Sequence, residues 1–392
     1  MNIQSDTGEQ PQSLWARILA FAGRVLLALS IPLIAFYVLY QGFIFLRDSD
    51  APRLVITLVA IVWGVGGVAI LYWVFNSLVE RLSDEWTARL LPFVFVGPAM
   101  AILSWYLAIP TLRTFWISLF NRDGPPDGLN FFQLLGSDSF VGLSNYWEVI
   151  NPHGVTNGIM LEALRNNAMW LIFGSTFSVA FGLVIAVLAD RSRFENTAKS
   201  LIFLPMAISF VGASIIWNFI YEYRPADQPQ VGLLNAIVTG LGGAPQAWPQ
   251  WVDIAPWNNL FLIVIVIWLQ AGFSMVLFSA ALKGIPDELL EAARIDGATE
   301  VQIFFRIMIP YIRGTIISVF TTVVIFTLKI FDVVWVMTGG QFGTHVIATQ
   351  FYRQSFTNRN SGFGSAIAIV LLIAVIPVMY YNLRQFREQE AF

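Results

Sequence analysis

Two charged side chains, Lys329 and Asp332, lie inside a long apolar stretch of the sequence. Charged groups in a membrane are costly, and they usually face protein or water as pairs. Because the two residues are three apart, a helix would place them on one face. The pattern leaves two interpretations open: a structural ion pair, within this chain or with a partner, or a direct role in binding hydroxyl groups or in gating.

Other residues that could do chemistry are scarce. There is no cysteine, which excludes disulfides and thiolate metal sites. The two histidines, His153 and His345, fall in separate predicted loops, as is typical of surface residues and not of metal ligands. The three lysines do not follow a glycine, so no phosphate-binding Gly-Lys loop can form: Lys199, Lys283 and Lys329. The apolar segments contain no paired acids and no Ser-His arrangement, so the sequence predicts neither an enzyme nor a cofactor on this chain.

The elements that must position these residues are membrane helices, because 57% of the 392 residues are hydrophobic and 12% are charged. About 20 mostly apolar residues cross the hydrocarbon core as a helix. Eight segments meet this standard: Leu19–Phe45, Leu54–Val79, Leu90–Ile109, Asn167–Leu188, Leu201–Tyr221, Asn259–Leu282, Gly314–Val336 and Gly364–Tyr381. The predicted fold is therefore an all-α polytopic membrane protein with eight transmembrane helices. Gly272 and Pro377 are among the residues within spans that indicate close packing or kinks, or else hinges for gating.

The lysines and arginines set the predicted direction of these spans. They are more numerous in the loops that lie inside when both termini are cytoplasmic. The resulting organisation is a cytoplasmic tail (1–18), two additional helices (19–89), a six-helix core (90–381) containing a cytoplasmic loop (283–313), and a second cytoplasmic tail (382–392).

The loop between the sixth and seventh spans is too well organised for a plain connector. Pro286 suits a first helical turn, and the two acids that follow it favour the positive end of a helix dipole. Apolar residues recur at helical spacing on both sides of Gly297, and Pro310 ends the pattern. The sequence predicts two short amphipathic helices joined at Gly297. They could rest on the inner leaflet or dock onto a partner.

The residue types in this loop resemble the EAA signature of ABC importer permeases. Glu291-Ala292-Ala293, the glycine at position 297 and the segment ending at Pro310 carry the resemblance. It implies a coupling helix that docks into a cleft on a separate ATPase, which binds the ATP and Mg. Glu291 would face a basic group of the ATPase, the two alanines would permit close approach, and Gly297 would supply the turn.

From about Leu90 onward the chain resembles maltose-type carbohydrate permeases with the type I permease fold, and in particular their alpha-glucoside and glucosylglycerol branch. The stretch from Ala198 to Asn235 carries much of this likeness. The resemblance implies a bacterial inner-membrane importer for an alpha-glucoside or related oligosaccharide that works by ATP-driven alternating access. Its partners would be a second, different permease, an ABC ATPase dimer and an extracytoplasmic sugar-binding protein. A permease for another small solute, such as glycerol phosphate, is the alternative.

The same resemblance implies a solute path. Positions that match the sugar-lining residues of the family are Leu269, Gln270 and Phe273 in the sixth span, and Phe326, Thr327 and Ile330 in the seventh. Gln270 stands where the family can have glycine, and Ile330 where it can have asparagine, which argues against a maltose-like pose. Ordinary helix packing remains the alternative for all six.

Overall fold

The computed structural model describes residues 34, 37–38, 40–80, 84–151, 153–154, 156 and 158–390. The predicted N-terminal tail and most of the predicted first span lie outside these residues. The chain divides into two units, one up to Thr111 and one from Leu112 onward. This boundary falls inside the range 90–381 for which the sequence predicts a six-helix core.

The first unit contains apolar helices. Its described helices are α1 (residues 40–48), α2 (Arg53–Val79), α3 (Asp84–Leu103) and, after a π turn at Ser104–Ala108, the start of α4 (Ile109–Ile117). Among the helices described in this unit, α2 alone is long and apolar enough to span a membrane. The predicted third span, Leu90–Ile109, coincides with helical residues, but its apolar part is the shorter stretch Trp86–Gly97.

The second unit is also helical, and its described residues form no strand apart from one isolated bridge between Phe120 and Phe140. Its helices are α5 (Phe131–Leu135), α6 (Ser144–Ile150), α7 (Ile159–Met169), α8 (Thr176–Asp190), α9 (Glu195–Phe203), α10 (Phe210–Tyr221), α11 (Leu233–Gly240), α12 (Asn259–Leu282), α13 (Asp287–Ile295), α14 (Glu300–Ile303), α15 (Ile309–Tyr311), α16 (Arg313–Leu328), α17 (Asp332–Thr338), α18 (Ile347–Tyr352) and α19 (Ser361–Glu390). A π turn at Trp170–Ser175 joins α7 to α8, and another at Phe304–Met308 joins α14 to α15.

Four helical stretches of the described chain are long and apolar enough to cross a membrane, and six if two bent pairs each count as one span. The four are Arg53–Val79, Ile159–Asp190, Asn259–Leu282 and Ser361–Arg384. The predicted sixth span agrees with α12 at both ends. Among the described residues the predicted total of eight is therefore supported only in part.

Two predicted spans are not continuous helices. The predicted Leu201–Tyr221 is bent by 103° between α9 and α10, because the chain leaves the helix after Ala207 and Ser209 caps a new one by accepting from the Gly212 N–H. The predicted Gly314–Val336 is wrong at its C-terminal end, since α16 ends at Leu328. The carbonyl freed there accepts a hydrogen bond of 3.2 Å from the Asn167 amide, which makes the early end of the helix stable.

Helix α12 is the centre of the second unit, with buried clusters along both of its halves. It packs most extensively on α8, where a Cβ at Gly182 would lie 2.3 Å from the Ser274 Cβ. It also lies close to the end of α9, where a Cβ at Gly272 would be 2.5 Å from the Ile202 carbonyl oxygen. Because α12 runs unbroken through Gly272, this glycine serves close packing and not a hinge.

Candidate functional site

The predicted loop from Lys283 to Arg313 folds into short helices with defined caps. Helix α13 begins after Pro286, with Asp287 and Glu288 in its first turn, and ends in a Schellman motif. In that motif the Ala298 N–H donates to the Ala293 carbonyl at 3.0 Å. Gly297 has φ of +80°, a conformation that L-residues with a side chain rarely adopt. The predicted pair of short helices joined at Gly297 is confirmed.

The second short helix of this loop is also capped. The Thr299 side chain and Gln302 form a capping box at the start of α14. Helical structure continues to Tyr311, one residue past Pro310, and then bends by 73° into α16. The ends of α13 and the start of α14 are thus fixed by neighbouring residues of the loop itself.

One face of the loop is packed and the other is exposed. Leu290, Ala293 and Ala298 pack against the buried cluster at the C-terminal end of α12. Glu291 and Ala292 are exposed. We call the exposed apolar side chains of this loop the loop patch: Leu289, Ile295, Val301 and Phe305. Ile295 is 86% exposed, which is unusual for a side chain of its type on a surface without a partner.

The predicted apolar stripe on the second helix, from Val301 through Phe304 and Phe305 to Met308, does not lie on one face. Met308 is buried, whereas Val301 and Phe305 are 66% and 61% exposed. The π turn at Phe304–Met308 changes the angular spacing of the side chains, so a stripe counted at 3.6 residues per turn divides between two faces.

Ion pairs join this loop to the connection between α8 and α9, and sequence reasoning missed them. Glu300 accepts from Arg294 at 3.1 Å and from Arg191, in the turn after α8, at 2.5 Å. Arg191 is 109 residues away from Glu300 in sequence, so no local signal indicated that contact. All three side chains are about half exposed, and such exposed pairs contribute little to stability individually.

A second, more buried network lies beside it, where α8, α9 and α12 meet. Lys199 contacts Asp190 and Glu195 and donates to the Ser279 hydroxyl, with its side chain only 17% exposed. Lys283 also pairs with Glu195, at 2.5 Å. These contacts hold the C-terminal end of α12 and the start of the loop to α9.

The six residues of the predicted solute path are only partly brought together. Leu269 and Ile330 belong to the same buried cluster, whereas Phe273 packs on a different one and Phe326 is 49% exposed. Thr327 is buried and donates to the Val323 carbonyl at 2.8 Å, so its hydroxyl is satisfied within its own helix.

Gln270 is the unusual member of this set. The residue is 7% exposed, and its amide forms no hydrogen bond with any residue in the described part of the chain, yet neither amide atom is among the fully buried polar atoms that lack a partner. The amide therefore lies at the small part of the residue that remains accessible. An accessible amide without an internal partner can bind a ligand or another subunit.

The predicted helical face shared by Lys329 and Asp332 is wrong. Lys329 follows the last residue of α16, and Asp332 is the first residue of α17, so the two lie on different helices. Both are exposed, and within residues 158–390 neither takes part in an ion pair. Their proposed roles in partner contact or solute binding stay predictions.

His345 is buried, contrary to the surface position expected from the sequence. The Arg353 guanidinium donates to its Nε2 at 3.2 Å, and its ring packs against Gly340. Burial, together with the neighbouring Arg353 charge, lowers the pKa of His345 to about 4. No group of three or more potential metal ligands occurs among the residues that the structure describes.

Two pairs of adjacent asparagines hold the opposite end of the bundle together. The Asn166 amide donates to the Gly343 and His345 carbonyls, and Asn167 accepts from the Ile347 N–H at 2.7 Å. Asn258 and Asn259 are likewise fully buried. An Asn-Asn pair precedes each of two apolar segments in the sequence. Because buried amides need hydrogen-bond partners, these pairs were the available signal for a buried polar network.

Comparison with known proteins places this geometry among transport components. The family described as "Binding-protein-dependent transport system inner membrane component" matches residues 178–388. An osmoprotective compounds uptake permease of Synechocystis sp. is 52% identical over 297 residues, covering 76% of this chain and 99% of the relative. An alpha-glucoside transport system permease of Rhizobium meliloti is 48% identical over 294 residues, covering 75% and 81%.

A solved structure shares the fold. It is a bacterial ABC transporter involved in the import of the acidic polysaccharide alginate, with a TM-score of 0.61 at 18% identity. The match covers 78% of this chain and 99% of that one. At this identity the likeness concerns the fold alone.

Proposed function

The chain belongs to the family of binding-protein-dependent transport system inner membrane components, and on that premise we propose that it imports an alpha-glucoside or a related small glycoside. It is a membrane permease subunit of an ABC importer and not an enzyme, and ATP is hydrolysed on a separate chain. The choice of solute rests on the high identity to two permeases, one for osmoprotective compounds and one for alpha-glucosides. The match covers 99% of the first and 81% of the second.

The proposed machine contains this permease, a second and different permease, an ATPase dimer and an external sugar-binding protein. ATP-driven closure of the ATPase opens the path to the outside, and product release returns it to the inside. Both termini of this chain lie in the cytoplasm in this arrangement, which agrees with the distribution of its lysines and arginines.

The coupling helix of this machine is α13. Exposure of Glu291 and Ala292 and the unpartnered loop patch support docking onto the ATPase, with Gly297 and Pro310 shaping the loop. The same patch could instead rest on the inner leaflet. Ala292→Trp distinguishes the two, because a large side chain obstructs a close protein contact but favours a lipid interface.

Co-purification of the assembled complex tests the coupling assignment. We expect Glu291→Gln and Ala292→Trp to reduce the amount of ATPase retained, whereas Glu288→Gln, an exposed acid on the same helix, leaves it unchanged. Full retention of the ATPase by Ala292→Trp would assign the patch to lipid.

The proposed solute path runs past Gln270, whose amide offers sugar hydroxyl groups an NH₂ group that donates and a carbonyl oxygen that accepts. Leu269, Phe273, Phe326, Thr327 and Ile330 are proposed to shape the path around it. Gln270→Leu keeps the volume but removes both hydrogen-bonding groups. It should therefore lower sugar transport.

Uptake of labelled glycosides tests the proposed function directly. Cells with and without this subunit are compared for entry of glucosylglycerol, sucrose, trehalose and maltose. We expect entry of at least one of them to depend on the subunit. Subunit-dependent entry of glycerol phosphate, with none of the four glycosides, would replace this proposal by the phosphate alternative.

A further inference from the structure

A cavity of about 270 Å³ lies at the end of α12 opposite to the coupling loop. Three separate segments line it: the end of α10 and the residues after it, the turn at Trp248–Gln250, and α17. Because α12 has 24 residues, its two ends are about 36 Å apart along the helix axis. If the coupling loop is cytoplasmic, the cavity therefore opens on the outer side.

The frame of this cavity is held by buried amides. The Asn235 side chain is fully buried and donates to the carbonyls of Glu222 and Gln246, at 2.9 and 3.0 Å. Asn258 donates to the Pro249 carbonyl at 3.0 Å. Gly232 lies directly against Glu222, since a Cβ there would be 2.2 Å from the Glu222 carbonyl oxygen. The walls are thus preorganised around an empty space, which reduces the entropy lost on binding.

The polar groups that line the cavity are available for a ligand. The side chains of Asn218, Tyr223 and Gln250 form no hydrogen bond with any residue between positions 158 and 390. Glu222 uses one carboxylate oxygen to accept from Arg224 at 3.2 Å, and its other oxygen can accept further bonds. The site thus offers two amides, a phenol and a carboxylate, which together can both donate to and accept from hydroxyl groups.

Apolar surface completes the lining. Tyr221 is buried, its hydroxyl donates to the Phe261 carbonyl at 2.9 Å, and its ring packs against Trp217. Met337 closes the cavity from α17. The volume is just below the roughly 300–1,000 Å³ of pockets for drug-sized ligands, so the space suits one sugar ring or a small polyol. The Glu222 carboxylate is paired with Arg224, so the site carries no net charge and suits a neutral ligand.

We propose that this cavity is a holding site for a neutral glycoside on the outer side of the permease, separate from the path at Gln270. The site receives the solute before it enters the helix bundle. Solutes with hydroxyl groups are therefore selected here first, and again along the path within the membrane. This inference rests on the proposed function, because it takes the solute to be a glycoside.

The absence of cysteine allows a direct test. Gln250→Cys introduces the only thiol of this chain at an exposed lining position, and Gln228→Cys is the matched control on the same outer connection, outside the lining. The complex with its partner chains is reconstituted in lipid nanodiscs without ATP or binding protein. Labelling by a membrane-impermeant maleimide is then timed with and without each of the four glycosides named above, and with glycerol 3-phosphate.

We expect an imported glycoside at ten times its dissociation constant to slow labelling of Gln250→Cys about tenfold, because about nine-tenths of the sites are then occupied. Labelling of Gln228→Cys should not change, and glycerol 3-phosphate should protect neither thiol. Protection should disappear when Asn218→Leu is added to Gln250→Cys.

Two results would overturn the inference while leaving the proposed function in place. One is uptake of a glycoside that does not slow labelling of Gln250→Cys. The other is protection that survives Asn218→Leu, which would trace it to a change of shape driven from another site. If no glycoside is taken up by the unmodified permease, the proposed function fails and the holding site fails with it.

Discussion

Replacing Gly272 by alanine tests whether α12 and α9 meet as closely as the structure shows. The added Cβ would lie 2.5 Å from the Ile202 carbonyl oxygen and 3.0 Å from the Phe203 Cα. Ordinary contacts begin at 3.4 Å, and the obstructing atoms are backbone, which cannot rotate away. One helix must therefore move by about 1 Å, and overpacking of this kind typically costs about 1–3 kcal/mol.

Thermal unfolding of the purified permease, followed by its intrinsic tryptophan fluorescence, measures this cost. The matched control is Gly64→Ala, because Gly64 is also helical but a Cβ there meets nothing within 4 Å. A helix usually gains about 0.5–1 kcal/mol from this exchange. Gly272→Ala should lower the unfolding temperature, and Gly64→Ala should leave it unchanged or raise it. Equal midpoints for the two variants would refute the close contact.

The remaining predictions concern the loop, the buried network and pH. Gly297→Val forces a β-branched residue to φ of +80°, a strain of about 1–2 kcal/mol, so affinity for the ATPase should fall roughly tenfold. Gly297→Asn should keep the affinity, because asparagine tolerates this conformation better. Equal dissociation constants of the two variants in a binding assay would contradict this. Lys199→Met leaves Asp190 and Glu195 without their shared cation and should lower the unfolding temperature more than Lys199→Arg does; if both variants unfold together, the network contributes nothing. The neutral ring of His345 contributes stability fully above pH 6.5, and because its folded-state pKa is about 4, up to about 3 kcal/mol is lost as pH falls between these values. In His345→Gln the unfolding temperature should therefore depend less on pH over that range. An unaltered pH dependence would exclude His345 as the cause of the loss of stability.

The loop at residues 283–313 was predictable to a large extent from its own residues. The acids after Pro286, the glycine at position 297 and the helical spacing of apolar residues all act within one or two turns. The position of Met308 against Val301 was not predictable, because a π turn intervenes and Met308 is buried in a cluster built from several helices. The candidate solute path was recognisable as a set of positions, but the missing partner of the Gln270 amide emerges only once burial is known.

The amino-acid sequence by itself determined that this chain is a helical membrane protein with a capped loop between two of its apolar segments. Apolar length, charge distribution and capping are local properties, so they can be read from neighbouring residues. Tertiary structure alone decided where helices break and which distant groups pair. Helix α16 can end at Leu328 because Asn167 supplies a donor to its free carbonyl, and His345 can be buried because Arg353 bonds its ring. Each of these partners comes from another element, and a buried polar group is stable only where such a partner lies in reach.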